Sequence, residues 1–312
     1  MRPTPRDGVA PDAMPDAKPD AESGGSTGAP EAASPAIVRT VSALREAVAG
    51  FHGDGHRVAL VPTMGALHAG HMALVAAARE AASRVVVTIF VNPTQFGPAE
   101  DLTSYPRSEA KDLGKLAEAA VDLVFMPAAA DIYGAGFATT IGVTGPGAGL
   151  ESAARPHFFA GVATVVCKLL LQCLPDVALF GEKDYQQLQV VRRMVRDLDI
   201  PSEILAIPTV READGLACSS RNDYLSAEER PVAARLYEIL QDSADRFRDG
   251  GAVITEIERG MISLRDAGFD GIDYLALCDG ESLAPLSEVK QDARLLAAVR
   301  LGRTRLIDNL AL

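Results

Sequence analysis

Several features that would place this chain in other protein classes are missing from its sequence. No apolar run approaches the roughly 20 residues that a membrane-spanning helix needs. The N-terminus lacks the charged and then apolar layout of a secretory signal. A nucleic-acid-binding protein would carry an excess of basic residues. This chain has 30 Lys and Arg but 42 Asp and Glu, which gives a formal net charge of −12. Any anionic ligand must therefore be held by a local group of cations and backbone amides.

The four cysteines form no recognisable motif. Cys167, Cys173, Cys218 and Cys278 are scattered, without a C-x-x-C pair or a cluster with His. We interpret them as free, mostly buried thiols in a reducing compartment. Together with the missing signal, this predicts a soluble, cytoplasmic protein that binds neither membrane nor nucleic acid.

Composition divides the chain into three parts. Residues 1–36 are rich in Pro, Ala, Gly, Ser and Asp and almost without large apolar residues, which predicts a disordered tail. Residues 37–210 alternate apolar, β-branched runs with helical-period segments, the pattern of a parallel sheet with helices on both faces. Residues 211–312 predict a smaller α+β domain, with a Ser226–Glu229 capping box, a helix near residues 254–267 and two strand-like pieces. The predicted fold is α/β, a Rossmann-like doubly wound parallel sheet with this C-terminal domain.

The first candidate motif is PTMGALHAGH, residues 62–71, which follows a predicted strand. Gly65 allows a sharp turn and the close approach of a ligand. A helix starting near His68 and His71 would direct free N–H groups at an anion such as phosphate. Both His can donate to phosphate oxygens and, when protonated, stabilise charge on departing pyrophosphate. The alternatives are two exposed capping histidines or a zinc pair, for which no Cys/His cluster offers a third ligand.

The second motif, FVNPTQF, places Asn92 and Gln95 just past the next predicted strand. Neutral amides both donate and accept, so they suit a substrate with hydroxyl and carboxylate groups. The alternative is simple turn chemistry, because Asn-Pro commonly opens a loop.

The third motif, LFGEKDYQQL, repeats the strand, Gly and helix arrangement. Lys183 is a mobile point charge suited to a triphosphate, and Gln187 lies far enough into the helix to reach the same pocket. Alternatively, Lys183 pairs with Glu182 or Asp184 on the surface.

The fourth motif, PTVREADGLACSSRNDYLS, joins the two predicted domains. Ser219, Ser220 and Arg221 supply two hydroxyls and a guanidinium, which suit phosphate. Val210 ends a strand and could offer backbone polar groups to a base. The alternative is a polar linker with a helix cap, although a position between domains favours a cleft.

Taken together, the four motifs resemble the pantothenate synthetase (pantoate–β-alanine ligase) family, of the His-x-Gly-His nucleotidyltransferase superfamily. PTMGALHAGH, FVNPTQF, GEKDYQQL, PTVREADGLA and SSRN occur in family order and spacing, and the resemblance runs from about Ile37 to the C-terminus. It implies a two-step synthesis in which pantoate attacks MgATP to give pantoyl adenylate and pyrophosphate. The amine of β-alanine then releases AMP and forms pantothenate. It also implies a Rossmann-like domain, a small C-terminal lid and a homodimer.

The resemblance assigns roles to individual positions. His71, as proton donor, His68 and Lys183, on the phosphates, would be catalytic. ATP would contact Met64, Gly65, Ala66, Leu67, His68, Ala69, Gly70, His71, Gly181, Glu182, Lys183, Asp184, Val210, Cys218, Ser219, Ser220 and Arg221. Gln95, Gln187 and Asn92 would bind pantoate or β-alanine. The metal ligands of Mg²⁺ are not indicated.

The chain departs from the family pattern at several positions. In RPHFFAGV, Phe158 occupies the usual His position and His157 the usual Gly position. Asp223 stands where Arg is common and Cys218 where Met is frequent. The long acidic tail is also not a family feature. Two other hypotheses stay open: a nucleotidyltransferase that acts on a phosphorylated acceptor, and a nucleotide-binding regulator without catalysis.

Overall fold

A six-stranded parallel sheet forms the first part of the chain. The computed structural model describes residues 34–97, Leu102 and 108–312. The strands are β1 (Ala36–Val38), β2 (Val58–Thr63), β3 (Arg84–Ile89), β4 (Leu123–Phe125), β5 (Val177–Gly181) and β6 (Glu203–Ile207). Their order is β1-β4-β3-β2-β5-β6, and every neighbouring pair is parallel. The predicted doubly wound α/β fold is confirmed.

Helices cover both faces of this sheet because its strands are apolar on both sides. They are α1 (Val41–Gly53), α2 (Ala69–Ala81), α3 (Glu109–Glu118), α4 (Ala129–Ile132), α5 (Glu151–Ala154), α6 (Phe158–Cys173) and α7 (Tyr185–Asp197). Successive residues of β2 face opposite ways. Leu60 joins the core with residues of α1, α6 and α7, whereas Ala59 and Val61 pack with α2 and α3.

The strand order places the functional motifs. From β2 the chain proceeds outward through β3 to β4, and it later resumes on the other side of β2 with β5 and β6. The direction of winding therefore reverses between β2 and β5, which pair at Ala59–Val177 and Leu60–Ala178. Ligands of open parallel sheets bind beyond the carboxyl ends of strands at such a switch point. The first and third motifs follow these two adjacent strands.

The last part of the chain is a small α+β layer. Helices α8 (Glu229–Arg248) and α9 (Val253–Asp266) pack on an antiparallel sheet of β7 (Gly271–Asp279), β8 (Ala293–Leu301) and β9 (Thr304–Ala311). Both hydrogen bonds of the predicted capping box form, from Glu229 N to Ser226 Oγ and from Ser226 N to Glu229 Oε2. The second strand-like piece of the sequence is a hairpin of two strands, because Gly302, at φ +55°, turns the chain.

The predicted boundaries near residues 36 and 210 lie in regions of different character. The predicted tail falls mostly outside the described residues, and its last residue, Ala36, already begins β1. The described residues from 34 onward form one compact unit, so the division between residues 210 and 211 stays a prediction. In the part of the chain that the structure describes, no helix combines the length and the apolar character that crossing a membrane requires.

Candidate active site

A cavity of about 920 Å³ opens beyond the carboxyl ends of β2 and β5. All four motifs contribute to its wall. The predicted site residues that line it are Met64, His68, Gly70, His71, Asn92, Gln95, Gly181, Lys183, Asp184, Gln187, Val210, Cys218, Ser219, Ser220 and Arg221. Five predicted ATP contacts, Gly65, Ala66, Leu67, Ala69 and Glu182, do not line it. The imidazoles of His68 and His71, which follow β2, and the ammonium of Lys183, which follows β5, therefore line the same cavity.

The two histidines form the N-terminal cap of α2. Backbone N–H of Gly70 donates to Nδ1 of His68 at 3.2 Å, and backbone N–H of His68 donates to Nδ1 of His71 at 3.3 Å. The ring centroids lie 4.1 Å apart. The capping alternative is thus correct as local structure, yet both rings also line the cavity.

These hydrogen bonds define the protonation of both rings. Because each Nδ1 accepts a backbone N–H, the proton of each neutral imidazole lies on Nε2. Burial, followed by the charge of Lys183, lowers the pKa of His68. Burial, then the neighbouring His68, Lys183 and Lys115, lower the pKa of His71 to about 3. Both rings are therefore uncharged Nε2–H donors in the free protein at neutral pH.

A buried carboxylate holds the turn between β2 and α2, and the sequence argument missed it. Asp112 of α3 accepts the backbone N–H of Ala66 at 2.9 Å and of Leu67 at 2.8 Å. Lys115 donates to the Leu67 carbonyl. The turn needs such support because Ala66 has a positive φ of +51°, which is strained for a residue with a Cβ, whereas Gly65 adopts its φ of +82° without that penalty. The sequence did contain a sign of this role: Asp112 lies on the buried face of an amphipathic helix, one turn before Leu116, where a carboxylate is unusual.

Asn92 supports Gln95 and has no hydrogen-bonding group left for a substrate. Its amide N–H₂ donates to Gln95 Oε1 at 3.1 Å and to the Gly161 carbonyl at 3.2 Å. Its oxygen accepts from the hydroxyls of Tyr133 and Thr94 at 2.7 and 3.0 Å. The side chain is buried, with 1 % exposed. These bonds favour a role for Asn92 in holding Gln95, and direct contact of Asn92 with a substrate stays a prediction.

The altered RPHFFAGV segment lies beside Gln95. Phe158 lines the cavity, and the Arg155 guanidinium lies 3.8 Å from its ring centroid. Arg155 also donates to the Gln95 carbonyl at 3.1 Å. His157 is exposed and does not line the cavity. An aromatic ring therefore forms the cavity wall at the position where the resemblance implies an imidazole.

The Glu182–Asp184 turn after β5 presents Lys183 to the cavity. The Lys183 ammonium lies 3.8 Å from Asp184, and both side chains line the cavity, so this pair does not withdraw the lysine. Glu182 points elsewhere, because its carboxylate pairs with Arg294 at 3.0 Å. The prediction that Glu182 contacts ATP is therefore not supported by its side chain.

The fourth motif closes the remaining side. Cys218 N–H donates to the Val210 carbonyl at 2.9 Å, and Arg221 N–H donates to the Ser219 hydroxyl at 3.2 Å. A Cβ at Gly70 would lie 3.7 Å from the Cβ of Cys218. The fourth motif is therefore in contact with the turn between β2 and α2 that carries the two histidines, which we call the histidine turn. Burial raises the pKa of the Cys218 thiol, which stays protonated. All four cysteines are free and buried, as predicted.

Comparison with known proteins agrees with this geometry. The family model Pantoate-beta-alanine ligase matches residues 36–311. The pantothenate synthetase of Paramagnetospirillum magneticum is 55 % identical over 274 residues, 88 % of this chain and 96 % of that protein. The pantothenate synthetase of Caulobacter vibrioides is 52 % identical over 283 residues, 89 % of this chain and 99 % of that protein.

Solved structures show the same relationship. Pantothenate synthetase from Thermus thermophilus superposes with a TM-score of 0.83 at 49 % identity, covering 88 % of this chain and 98 % of its own. Pantoate-beta-alanine ligase from Francisella tularensis, complexed with beta-gamma ATP and beta-alanine, gives a TM-score of 0.75 at 32 % identity, with coverage of 89 % and 97 %. Sequence, family model and fold together show that the chain belongs to the pantoate-beta-alanine ligase family, enzymes of pantothenate biosynthesis.

Proposed function

We propose that this ligase activates pantoate as pantoyl adenylate before β-alanine attacks. A pantoate carboxylate oxygen would bond to the α-phosphorus of ATP while the bond to pyrophosphate breaks. The β-alanine nitrogen would then attack the acyl carbon, lose a proton and release AMP. The observation that carries this proposal is the convergence of two neutral imidazole donors and one ammonium, on adjacent strand ends, in a single cavity.

Charge neutralisation is the main task of the first step. A carboxylate and a triphosphate repel each other, and the chain carries a net charge of −12. Lys183 would neutralise the phosphates, and the Nε2–H groups of His68 and His71 would donate to them at the N-terminus of α2. In the bound state, triphosphate charge opposes the factors that depress the His71 pKa. The neutral His71 ring would donate its Nε2–H to the departing pyrophosphate, because Nδ1 is already occupied by the backbone N–H of His68.

Uncharged amides suit the acid substrate. Gln95 and Gln187 line the cavity, and both can donate to a carboxylate and accept from hydroxyl groups. A second phosphate would call for cations at these positions, so they favour an acid over a phosphorylated acceptor. The Arg155–Phe158 pair forms the neighbouring wall.

The residues present fit Mg²⁺ that arrives with ATP. Within the described ranges, no group of three or more His, Cys, Asp or Glu side chains could hold a metal by itself. Mg²⁺ is usually bound by one or two carboxylates together with substrate phosphates, and the Asp184 carboxylate lines the cavity. When bound, the ion would supply further neutralisation of phosphate charge.

Water must be excluded because an acyl adenylate hydrolyses. Residues 208–210, 216–222 and 302–309 contribute to the cavity wall, which supports the C-terminal part as the closing lid. The proposal also includes a homodimer, as the resemblance implies, and a cytoplasmic location, as the composition predicts. Light scattering on the purified enzyme would test the dimer, and a mass of one chain would contradict it.

The deciding experiment is exchange of labelled pyrophosphate into ATP without β-alanine. We expect exchange that requires pantoate, because adenylation is reversible. Exchange that requires a phosphorylated acceptor would favour the nucleotidyltransferase hypothesis. Absence of both exchange and pantothenate would favour a regulator without catalysis.

Substitution of one histidine inside the cavity and of one outside it provides a matched test of the site. His71→Ala should slow exchange strongly and weaken ATP binding less, since its donor acts mainly as pyrophosphate departs. His56→Ala is the control, because His56 bonds Ser83 beside the amino ends of the strands, outside the cavity. Equal loss of binding and turnover in His71→Ala would contradict a transition-state role.

A further inference from the structure

Asn309 of β9 directly contacts the turn Glu182–Asp184, which we call the lysine turn. Its side-chain nitrogen donates to the carbonyls of Glu182 and Lys183, at 2.9 Å each. Its oxygen accepts from Arg294 Nε at 2.7 Å. The amide orientation is unambiguous, because carbonyls only accept and a guanidinium only donates. Asn309 is buried, with 3 % exposed, so all these bonds are shielded from water.

Further groups of the C-terminal sheet hold the same turn. Arg294 pairs with the Glu182 carboxylate at 3.0 Å and lies 4.0 Å from the centroid of the Tyr185 ring. The Tyr185 hydroxyl donates to the Gly280 carbonyl at 2.9 Å. The turn itself is three residues long and has no side-chain cap. Its conformation therefore depends on strands that lie far away in the sequence.

The residue before Asn309 holds the other side of the cavity. Asp308 is buried and accepts two hydrogen bonds from Arg211, at 2.6 and 2.9 Å. Arg211 follows Val210, which lines the cavity. Two successive residues of β9 thus reach both the lysine turn and the segment of the fourth motif.

We propose that Asn309 is a positioning residue for Lys183, which makes adenylation dependent on the docked C-terminal sheet. This inference rests on the proposed role of Lys183 at the phosphates. By holding the carbonyls on both sides of the Lys183 Cα, the amide restricts where the ammonium can lie. A lysine turn without this support would present its charge less often in the productive place.

The arrangement has a functional consequence. The strand that contributes to the cavity wall also orders the lysine. Charge neutralisation is then complete only when the sheet is seated and water is excluded. A reactive adenylate would not form in an open site.

Asn309→Asp tests the proposal with almost no change in size. A carboxylate cannot donate to the two carbonyls, so we expect pantoate-dependent pyrophosphate exchange to fall by about 10- to 100-fold, with KM for pantoate nearly unchanged. Asn309→Ser is the uncharged second variant, and it should lose less. Glu256→Gln is the matched control, a buried side chain of α9 that pairs with Arg246 outside the cavity. It should lower thermal stability and leave exchange unchanged.

A double-mutant cycle separates positioning from a general structural role. In a Lys183→Ala background, Asn309→Asp should reduce the remaining exchange by less than about twofold, since there is no ammonium left to position. The same loss in both backgrounds, or exchange at the unmodified level in Asn309→Asp and Asn309→Ser, would overturn the role of Asn309. Lack of exchange in the unmodified enzyme would instead refute the adenylate pathway.

Discussion

Adding one methyl group at Gly161 should disturb the acid-binding side of the cavity. Gly161 lies in α6, and a Cβ there would stand 2.4 Å from the Thr94 carbonyl oxygen and 2.9 Å from Gln95 N. Both are backbone atoms of the turn that carries Gln95, so no side-chain rotation relieves the contact. The turn must move by about 0.6 Å or more to reach 3.0 Å, below which real Cβ contacts essentially never occur.

The size of the effect follows from this displacement. Overpacking of this kind costs about 1–3 kcal/mol, and up to about 1 kcal/mol is recovered because Ala favours a helix over Gly. Misplacement by 1 Å can lower a rate by about 10²-fold, so a shift of this size should lower kcat/KM for pantoate by about tenfold. The hydrogen bond from Asn92 to the Gly161 carbonyl would be strained at the same time.

The assay is steady-state kinetics with pantoate varied, together with a thermal denaturation curve. Gly114→Ala is the control, because Gly114 is also helical, in α3, and a Cβ there meets no atom within 4 Å. It should leave kinetics unchanged and raise stability slightly. A Gly161→Ala variant that keeps the unmodified kcat/KM for pantoate, or that loses kcat/KM equally for ATP and pantoate, would refute the predicted displacement of the Gln95 turn.

Three further predictions concern single side chains. Lys183→Ala should slow pyrophosphate exchange by about 10²- to 10³-fold with the thermal transition retained; loss of the transition would show a structural role. Asp112→Asn should lower stability by about 1–3 kcal/mol and also reduce kcat, because Asp112 holds the histidine turn. Asp122→Asn is the control. It weakens a hydrogen bond from Val85 N at the other end of the sheet and should affect stability alone. Unchanged kcat in Asp112→Asn would contradict the support of the histidine turn. Because folding lowers the His71 pKa to about 3, the unfolded chain binds the proton first, and stability should fall as pH drops from about 6.5 toward 3. This contribution is at most about 1.4 kcal/mol per pH unit, and urea denaturation of His71→Gln should show a shallower fall; equal slopes would contradict it.

Local features of the sequence were sufficient for the fold class and for the segments that line the candidate site. Apolar runs that alternate with helical periods predicted the parallel sheet, because strands buried on both faces leave that pattern in the sequence itself. The turn at Gly65 and the histidines after it lie within one short segment. Their geometry therefore depends on neighbours in the chain, and the prediction of a strand, a turn and a helix was correct.

Contacts between distant segments were decided by the tertiary structure. The sequence does not state that β5 lies beside β2, and only that pairing brings Lys183 to the imidazoles. Asp112 and Asn309 were missed because a lone carboxylate or amide carries no local signal until folding buries it against backbone groups. Local patterns report the periodicity and turns of neighbouring residues. Hydrogen bonds between remote segments depend on strand order and packing, which arise only when the chain is folded.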